Sequence, residues 1–405
     1  LDMMYTDQYQ SAVRITNGRN ISILNCKMNC IGESGVDMYN YAVDNLAYGN
    51  SIYNIGSAAV KMQDDKRYVP AVCRNDIINN HMYDTGQINR GVGSIMTWDS
   101  GYNRFNHNVI HDMDGSGTLI AASEYSLPTY WADGHKYTRE EIEKYMVTGK
   151  CNEIAYNDVY STNRWRQDSG AIYTGKCAYN KVHDNSIHDT YAALEYSFAL
   201  YIDDMSRNAD IYNNIVWHIQ DPTTYPDYYK GGELRGVYVS KGDNTIMHNN
   251  IAADCYVSDT FTYLSGEVGK TDGVYTGVSG FTTSAQMYSS RYQKWFSNIC
   301  YNSGPKYMGI LNWTFHKIGY CDYNIYYNEG TEGEENYTLN GVTGATNFKE
   351  WRALDNESYD RHTLLSNPKF VAPEEYDYRL RYDSPAYMQG FDDIDYEQMG
   401  LLKDF

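Results

Sequence analysis

The chain has 405 residues, of which 33 are Lys or Arg and 52 are Asp or Glu, so its formal net charge is −19. This acidic excess, and the lack of any basic stripe along the sequence, argue against a nucleic-acid partner and against a long polyanionic substrate. A neutral glycan is more compatible with the charge. No apolar run reaches the roughly 18 residues of a membrane span, so no membrane insertion is expected.

One asparagine recurs in a similar local sequence along the first 250 residues. The separations between successive copies are 25, 30, 28, 49, 28, 29 and 36 residues. The copies are Asn25, Asn50, Asn80, Asn108, Asn157, Asn185, Asn214 and Asn250. A repeat of this length indicates a solenoid. We expect each Asn to point inward and to bond through its amide to the turns above and below.

Each repeat contains two short apolar runs rich in Val, Ile and Tyr, bounded by Gly, Asn, Asp and Ser. This is the pattern of strands rather than helices. One run surrounds the recurrent Asn, and the other lies at 36–38, 59–62, 95–98, 119–121, 171–173, 199–202 and 237–239. Several short strands per turn, stacked along the chain, predict an all-β parallel β-helix.

The repeat predicts one catalytic β-helix domain over 1–328 and a capping segment over 329–405, which covers the exposed strand edges of the last turn. An insertion at 124–149 contains a capping box at Thr138 and Glu141 and is predicted to hold a short helix that ends at Gly149. An irregular loop is predicted over 257–293. The sequence shows no signal peptide and is strand-like from Ala12 onward, so we expect it to be the later part of a larger protein.

The eight cysteines form no CxxC pair and no Cys/His cluster with zinc spacing, so no metal site is predicted from them. Several lie at matching places in the repeat, for example Cys151 and Cys177. Buried thiols stacked between turns are the simpler interpretation, and disulfides stay open.

Acidic residues concentrate where the second strand series meets its turns. The pair Asp203 and Asp204 directly follows a predicted strand, Asp168 precedes the strand one turn earlier, and Glu124 and Asp99 lie in turns before that. Asp is common at turns because its side chain bonds the local backbone. However, stacked turns would also align these acids along one face, and two carboxylates across a cleft are what glycoside hydrolysis requires.

Aligning the strands on their shared tyrosines gives a register in which Tyr173 stacks on Tyr201 and Asp203 lies beside Gly175. Asp168 then lies at the opposite end of its strand, at a distance approaching 20 Å given about 3.3 Å per residue. Catalytic carboxylates lie roughly 5 to 10 Å apart. Either the turn that carries Asp168 folds back over the cleft, or another acid such as Glu124, about 10 Å from Asp203 by strand spacing, is the partner.

The remaining candidates are side chains suited to sugar rings, whose C–H faces pack on aromatic planes while their hydroxyls bond to polar groups. The predicted substrate-binding residues are Trp98, Asp99, Trp165, Arg166, Tyr173, Lys176 and Lys241. Trp217 is an equally good candidate for wall packing and for a sugar platform. No cofactor is required for this chemistry.

Four segments together carry a resemblance to a known family: DSGAIYTG at 168–175, YNKVHDNSIHD at 179–189, ALYIDDMS at 199–206 and DYRLRYDSPAYMQGF at 377–391. They resemble the right-handed parallel β-helix glycoside hydrolases, most closely glycoside hydrolase family 141, which includes α-L-fucosidase and xylanase activities. The resemblance implies a right-handed coil and implies that Asp168 and one of Asp203 or Asp204 are the catalytic carboxylates. The chain differs from the family pattern in its 124–149 insertion and at Met205 and Ser206, where a glycine is usual.

Two other functions stay open. A Ca²⁺-dependent polysaccharide lyase or uronate epimerase would use Asp203 and Asp204 near Lys176 or Lys241. A non-catalytic glycan-binding β-helix would carry its acids dispersed around the turns. For a glycan substrate we expect a secreted, periplasmic or cell-surface location.

Overall fold

The computed structural model describes residues 11–63, 71–122, 136–138, 147–166, 168–191, 196–203, 206–219, 233–239, 244–255, 262–264, 274–276, 293–301, 310–312, 318–337, 344–356 and 358–403. In these residues the chain winds as a parallel β-helix, and successive turns add strands to three long parallel sheets. The predicted all-β parallel β-helix is confirmed, and its right hand is the one that crossovers between parallel strands take.

Sheet I has eight strands, at Val13–Thr16, Val36–Tyr39, Val60–Gln63, Ile95–Trp98, Thr118–Ala121, Gly170–Gly175, Tyr196–Asp203 and Glu233–Val239. Sheet II has ten, at Ser22–Leu24, Leu46–Tyr48, Asp76–Ile78, Arg104–Asn106, Glu153–Ala155, Lys181–His183, Asp210–Tyr212, Ile246–His248, Gln293–Phe296 and Ile318–Asp322. Sheet III has eleven, at Lys27–Ile31, Ser51–Ile55, His81–Tyr83, Val109–His111, Asp158–Tyr160, Ser186–His188, Ile215–Ile219, Ile251–Cys255, Ile299–Tyr301, Ile325–Tyr327 and Leu364–Leu365.

Three two-stranded sheets complete the strands of the described residues. They pair Lys136–Thr138 with Val274–Thr276, Thr262–Leu264 with Ile310–Asn312, and Phe370–Ala372 with Asp377–Leu380. One α-helix is described, at Phe348–Arg352. Its N-cap is Asn347, whose side chain accepts a hydrogen bond from the backbone N–H of Glu350 at 3.0 Å. The 3₁₀ turns are Glu334–Asn336, Leu354–Asn356, Pro373–Glu375, Pro385–Gln389 and Tyr396–Gln398.

The core follows from the alternation of side chains along each strand. In Val60–Gln63, for example, Val60 and Met62 are fully buried inside the coil, whereas Lys61 and Gln63 face outward. Aligned Val, Ile and Met residues of the three sheets fill the interior as one cluster along the coil. Each fully buried side chain of this size stabilises the fold by about 1.5 to 3 kcal/mol relative to its exposed state.

The recurrent asparagines form a hydrogen-bonded ladder at the corner between sheets II and III. The Oδ1 of Asn80 accepts both the backbone and the side-chain N–H of Asn50, at 3.0 and 2.9 Å. The same contact repeats through Asn108, Asn157, Asn185, Asn214, Asn250, Asn298 and Asn324. The prediction of inward, amide-bonding asparagines is confirmed from Asn50 onward. The prediction for Asn25 is wrong by one residue. The backbone N–H of Cys26 donates to Asn50 Oδ1, so Cys26 holds the ladder position, and Asn25 precedes it with a φ of 51°.

A second asparagine ladder, at the corner between sheets I and II, was not predicted. It runs through Asn45, Asn75, Asn103, Asn152 and Asn180. Each member lies five residues before a member of the first ladder, so the sequence does contain a signal for it. At both corners the residue before each described ladder Asn has a left-handed backbone, which Asn, Asp and Gly adopt most easily.

The C-terminal segment has two parts. Residues 344–365 cover the last turn: Phe348 and Trp351 are buried, and Leu364–Leu365 adds a strand to sheet III. Residues 370–402 then run back along the outside toward earlier turns. Their contacts include Tyr378 Oη to Asp254 Oδ2 at 2.6 Å and, much further back, the N–H of Leu402 to Asn79 Oδ1 at 2.7 Å. We call residues 370–402 the strap.

The predicted helix near 138–149 lies mostly outside the described residues, as does most of the predicted irregular loop. All eight cysteines are free thiols, five of them buried, at Cys73, Cys177, Cys255, Cys300 and Cys321. Among the helices of the described residues, none has the length and hydrophobicity needed to cross a membrane.

Candidate active site

The outward face of sheet I carries two rows of side chains, one from each outward position of its strands. The first row runs Arg14, Asp37, Lys61, Met96, Leu119, Tyr173 and Tyr201, and the second Thr16, Tyr39, Gln63, Trp98, Ala121, Gly175 and Asp203. The predicted register of the tyrosines, with Asp203 beside Gly175, is confirmed. Early turns therefore present charged residues on this face, and later turns present tyrosines and an acid.

Asp203 is held by a tyrosine from the neighbouring strand. The hydroxyl of Tyr173 donates to Asp203 Oδ2 at 2.8 Å, and the Asp203 residue is only 8% exposed. The hydroxyl reaches the carboxylate by passing over Gly175. A Cβ atom added at Gly175 would lie 2.7 Å from the Tyr173 hydroxyl, closer than real contacts allow. The glycine thus creates the space in which the hydrogen bond forms.

Asp168 is held in the same way by the second tyrosine. The hydroxyl of Tyr201 donates to Asp168 Oδ1 at 3.2 Å, and Asp168 is exposed with a left-handed backbone of φ 51°. The rings of Tyr173 and Tyr201, which we call the tyrosine pair, meet edge to face with centroids 5.1 Å apart and an interplanar angle of 87°. The tyrosine pair therefore links the two predicted carboxylates, since each hydroxyl donates to one of them.

A cluster of ion pairs lies near Asp168, in the turns that precede the strands of sheet I. It consists of Arg90, Arg164, Asp112 and Asp114, and we call it the ionic wall. Arg164 lies 3.4 Å from Asp112 and 3.7 Å from Asp114, and its guanidinium also donates to the carbonyl of Asp112 at 2.6 Å. Arg90 lies 3.4 Å from Asp114, and its guanidinium is 4.7 Å from the ring centre of Trp165. Opposite charges and backbone hydrogen bonds hold this wall at a fixed position beside the tyrosine pair.

Two predicted substrate-binding residues extend from the ionic wall. Trp165 is 48% exposed, with one ring face covered by Arg90. Arg166 donates to the carbonyl of Gly91. Burial lowers the pKa of Arg166 from its usual value, while the nearby Tyr173 and Asp168 act in the opposite direction. Arg166 is thus a partly desolvated cation within electrostatic reach of both the tyrosine pair and Asp168.

The other residues predicted for catalysis or substrate binding lie in different environments. Trp98 is 37% exposed on the outward face, in the same row as Gly175 and Asp203. Lys176 directly follows Gly175 in a left-handed conformation of φ 59°. Asp99 is buried, at 2% exposure, and accepts a hydrogen bond from the Thr148 hydroxyl at 2.6 Å, which favours a structural role. Asp204, Glu124 and Lys241 lie outside the described residues.

A stack of aromatic rings on the outside of sheet III was not predicted as such. Its rings are Tyr53, Tyr83, His111, Tyr160, His188 and Trp217, with successive centroids 4.7, 5.1, 4.7, 4.8 and 4.2 Å apart. Each ring comes three residues after a ladder Asn, which is the signal that sequence reasoning missed. Because the ring faces cover one another, only edges remain open. Trp217 also contacts Tyr376 of the strap at 4.9 Å, so its position favours wall packing.

His188 is the ring of this stack that lies between two carboxylates. Its Nδ1 lies 2.6 Å from Asp189 Oδ2, and its Nε2 lies 3.3 Å from Asp158 Oδ1. Burial on its own would lower the pKa of His188, but the hydrogen bonds to Asp158 and Asp189 outweigh it and raise that pKa to about 9. The imidazolium is therefore a paired cation sandwiched between Tyr160 and Trp217.

In the part of the chain that the structure describes, no group of three His, Cys, Asp or Glu side chains is arranged to hold a metal ion.

Comparisons with known proteins add little to this picture. No family model and no curated protein matches the chain. Among solved structures it is similar to the PL6 family polysaccharide lyase Pedsa3628 from Pseudopedobacter saltans, with 10% identity, a TM-score of 0.43 and coverage of 96% of this chain and 95% of that one. It is also similar to a PL6 alginate lyase in complex with a trisaccharide, at 11% identity and a TM-score of 0.35, covering 98% and 90% of the two chains. At these scores neither likeness supports an argument about function.

Proposed function

We propose that the chain is a carbohydrate-active enzyme that cleaves a neutral or lightly substituted glycan on the outward face of sheet I, by hydrolysis. The observation that carries the proposal is the link between two carboxylates, Asp168 and Asp203, through the hydroxyls of one tyrosine pair. In the family 141 resemblance, Asp168 and one of Asp203 or Asp204 are the residues in the catalytic positions.

The chemistry assigns one carboxyl group to protonate the leaving glycosidic oxygen and the other to attack the sugar or to activate a water. Each tyrosine hydroxyl orients its carboxylate through a hydrogen bond. The two hydroxyls belong to neighbouring rings whose centroids are 5.1 Å apart, so both carboxylates are tied to one pair of contacting side chains.

The surroundings of the acids fit a sugar substrate. Tyr173 is half-buried, and Trp98 and Trp165 are exposed, so these three rings offer surface to a sugar on or beside this face. The ionic wall borders the site on the Asp168 side and supplies polar groups for sugar hydroxyls. Asp204 and Glu124 stay candidates for an additional or alternative acid.

The test is to replace each carboxylate by its amide and measure the release of reducing ends from a panel of aryl glycosides and neutral or lightly substituted glycans. We expect Asp168→Asn and Asp203→Asn each to lower the rate by a factor on the order of 100 or more. Asp254→Asn is a matched control, because Asp254 also accepts a tyrosine hydroxyl, from Tyr378 at 2.6 Å, but lies on sheet III.

The proposal fails if both variants keep the full rate on a glycan that the parent cleaves. A product with the ultraviolet absorbance of an unsaturated sugar, together with loss of activity in chelator, would instead identify a Ca²⁺-dependent lyase. Binding without any cleavage across the panel would identify a glycan-binding solenoid.

A further inference from the structure

The arginines beside the candidate site differ in how their charge is compensated. Arg90 and Arg164 each lie within 4 Å of at least one carboxylate of the ionic wall. Arg166, next but one to Arg164 in the chain, has no carboxylate at that distance among the described residues. Its one hydrogen bond to described residues goes to the carbonyl of Gly91, through Nη1. Its Nε and Nη2 groups make no ion pair with the described residues.

A partly buried guanidinium without an ion pair is costly to maintain, because burial removes water that would otherwise solvate the charge. The Gly91 carbonyl fixes the side chain but does not pair its positive charge with a carboxylate. Tyr173 and Asp168 lie close enough to interact electrostatically with it. The charge therefore lies beside the groups proposed to carry the reaction, where a substrate would be.

We propose that Arg166 binds an anionic substituent of the glycan, a carboxylate or a sulfate, and so makes the substrate a glycan that carries isolated acidic groups. This inference rests on the proposed function for the position of the substrate. A guanidinium presents N–H groups in a planar fork that matches either oxyanion, and the fork is the reason for Arg rather than Lys at such a site.

Charge limits the density of acidic groups that the site accepts. Three carboxylates, those of Asp84, Asp112 and Asp114, lie in or beside the ionic wall, and the chain carries a net charge of −19. A densely charged polyanion would be repelled by this field, whereas a neutral backbone with scattered acidic groups brings one anion at a time to Arg166.

The test compares binding of acidic glycans with binding of the same glycans after their charge is removed. The probes are glucuronoxylan and its carboxyl-reduced form, and κ-carrageenan and its desulfated form, with the dissociation constant measured by affinity electrophoresis. The proteins are the parent, Arg166→Gln, Arg166→Lys and the control Arg361→Gln, which makes the same charge change at an exposed position in the C-terminal cap.

We expect the parent to bind at least one acidic polymer about tenfold more tightly than its neutral form, in line with one charged hydrogen-bonded contact. Arg166→Gln should abolish this preference by weakening binding of the acidic form more than binding of the neutral form, Arg166→Lys should retain part of the preference, and Arg361→Gln should retain all of it. A preference for glucuronoxylan over its reduced form would identify a carboxylate as the bound group, and a preference for κ-carrageenan over its desulfated form would identify a sulfate.

The inference is overturned if Arg166→Gln keeps the preference, or if the parent binds neither acidic polymer more tightly than its neutral form. Failure of the proposed function is recognised separately, because it is read from cleavage by Asp168→Asn and Asp203→Asn, whereas this test reads binding alone.

Discussion

The substitution Gly175→Ala tests the contact on which the candidate site depends. The added methyl group would lie 2.7 Å from the Tyr173 hydroxyl and 2.9 Å from Cε1 of the same ring. An ordinary van der Waals contact begins at 3.4 Å, so the hydroxyl must move by at least about 0.7 Å, the difference between 3.4 and 2.7 Å. A shift of that size away from Asp203 lengthens the 2.8 Å hydrogen bond to about 3.5 Å, where it is lost.

The expected cost follows from the type of bond. A hydrogen bond to a charged group contributes about 1.5 to 3 kcal/mol, so Gly175→Ala and Tyr173→Phe should each destabilise the protein by about that amount. If both act by removing the same hydrogen bond, the sum of the two single effects counts that bond twice, so the double variant should be about 1.5 to 3 kcal/mol more stable than the sum predicts. The measurement is the free energy of unfolding in urea, followed by circular dichroism, for the four proteins of this cycle.

Gly91→Ala is the control, because its added methyl would meet only the Asn89 side chain, at 3.8 Å. Strictly additive effects of Gly175→Ala and Tyr173→Phe would refute the reasoning, since they would show that the glycine is required for something other than the Tyr173 to Asp203 contact. In the activity assay, Gly175→Ala should lower the rate less than Asp203→Asn, because it removes the orientation of the carboxylate and not the carboxylate itself.

Three further predictions concern the scaffold. The pKa of His188 is raised to about 9 in the folded state, so its ion pairs stabilise the fold fully below the usual pKa of 6.5 and are lost as the pH rises through 9. Between these two pH values, the unfolding midpoint of the parent should therefore fall more than the unfolding midpoint of His188→Gln. Asn157→Ala should destabilise the protein by about 3 kcal/mol or more in urea unfolding, because it leaves buried amide groups of adjacent turns unpaired. Asp360→Ala should destabilise the C-terminal cap, detectable as faster hydrogen exchange in 344–365, because Asp360 Oδ1 accepts the side-chain N–H of Asn324 at 3.1 Å and ends the ladder there.

The fold could be predicted in outline because a β-helix repeats its local requirements. Each corner needs a left-handed residue followed by an inward amide, and that need recurs at the period of the coil. The period does not determine the register to a single residue: Asn25 and Cys26 both stand near the first corner, and only the strand pairing shows that Cys26 occupies the ladder position. The second ladder has the same period and a constant offset of five residues from the first, so the sequence carries its signal as well.

The sequence could predict the positions of candidate site residues only where the register of the parallel strands alone determines those positions. The alignment of Tyr173 with Tyr201, and of Gly175 with Asp203, follows from parallel pairing. The direction in which each tyrosine hydroxyl points depends on side-chain geometry, so the link from Tyr201 to Asp168 was not foreseeable. The same applies to Asp99, whose burial depends on contacts between turns rather than on its place in the strand pattern.

Ring geometry explains why sheet I is the face suited to chemistry. On sheet III, Tyr53 and Tyr83 stack in register with an interplanar angle of 1°, and on sheet II, His183 and Tyr212 stack at 2°. Stacked rings cover each other's faces and leave only edges for a ligand.

The tyrosine pair on sheet I is also in register, yet its rings cross at 87°. The two hydroxyls are drawn to carboxylates at opposite ends of the strands, and satisfying both bonds turns one ring away from the stack. The two hydrogen bonds to Asp203 and Asp168 therefore account for the crossed arrangement that separates this pair from the Tyr53–Tyr83 and His183–Tyr212 stacks, and they place both proposed carboxylates on the pair that does not stack.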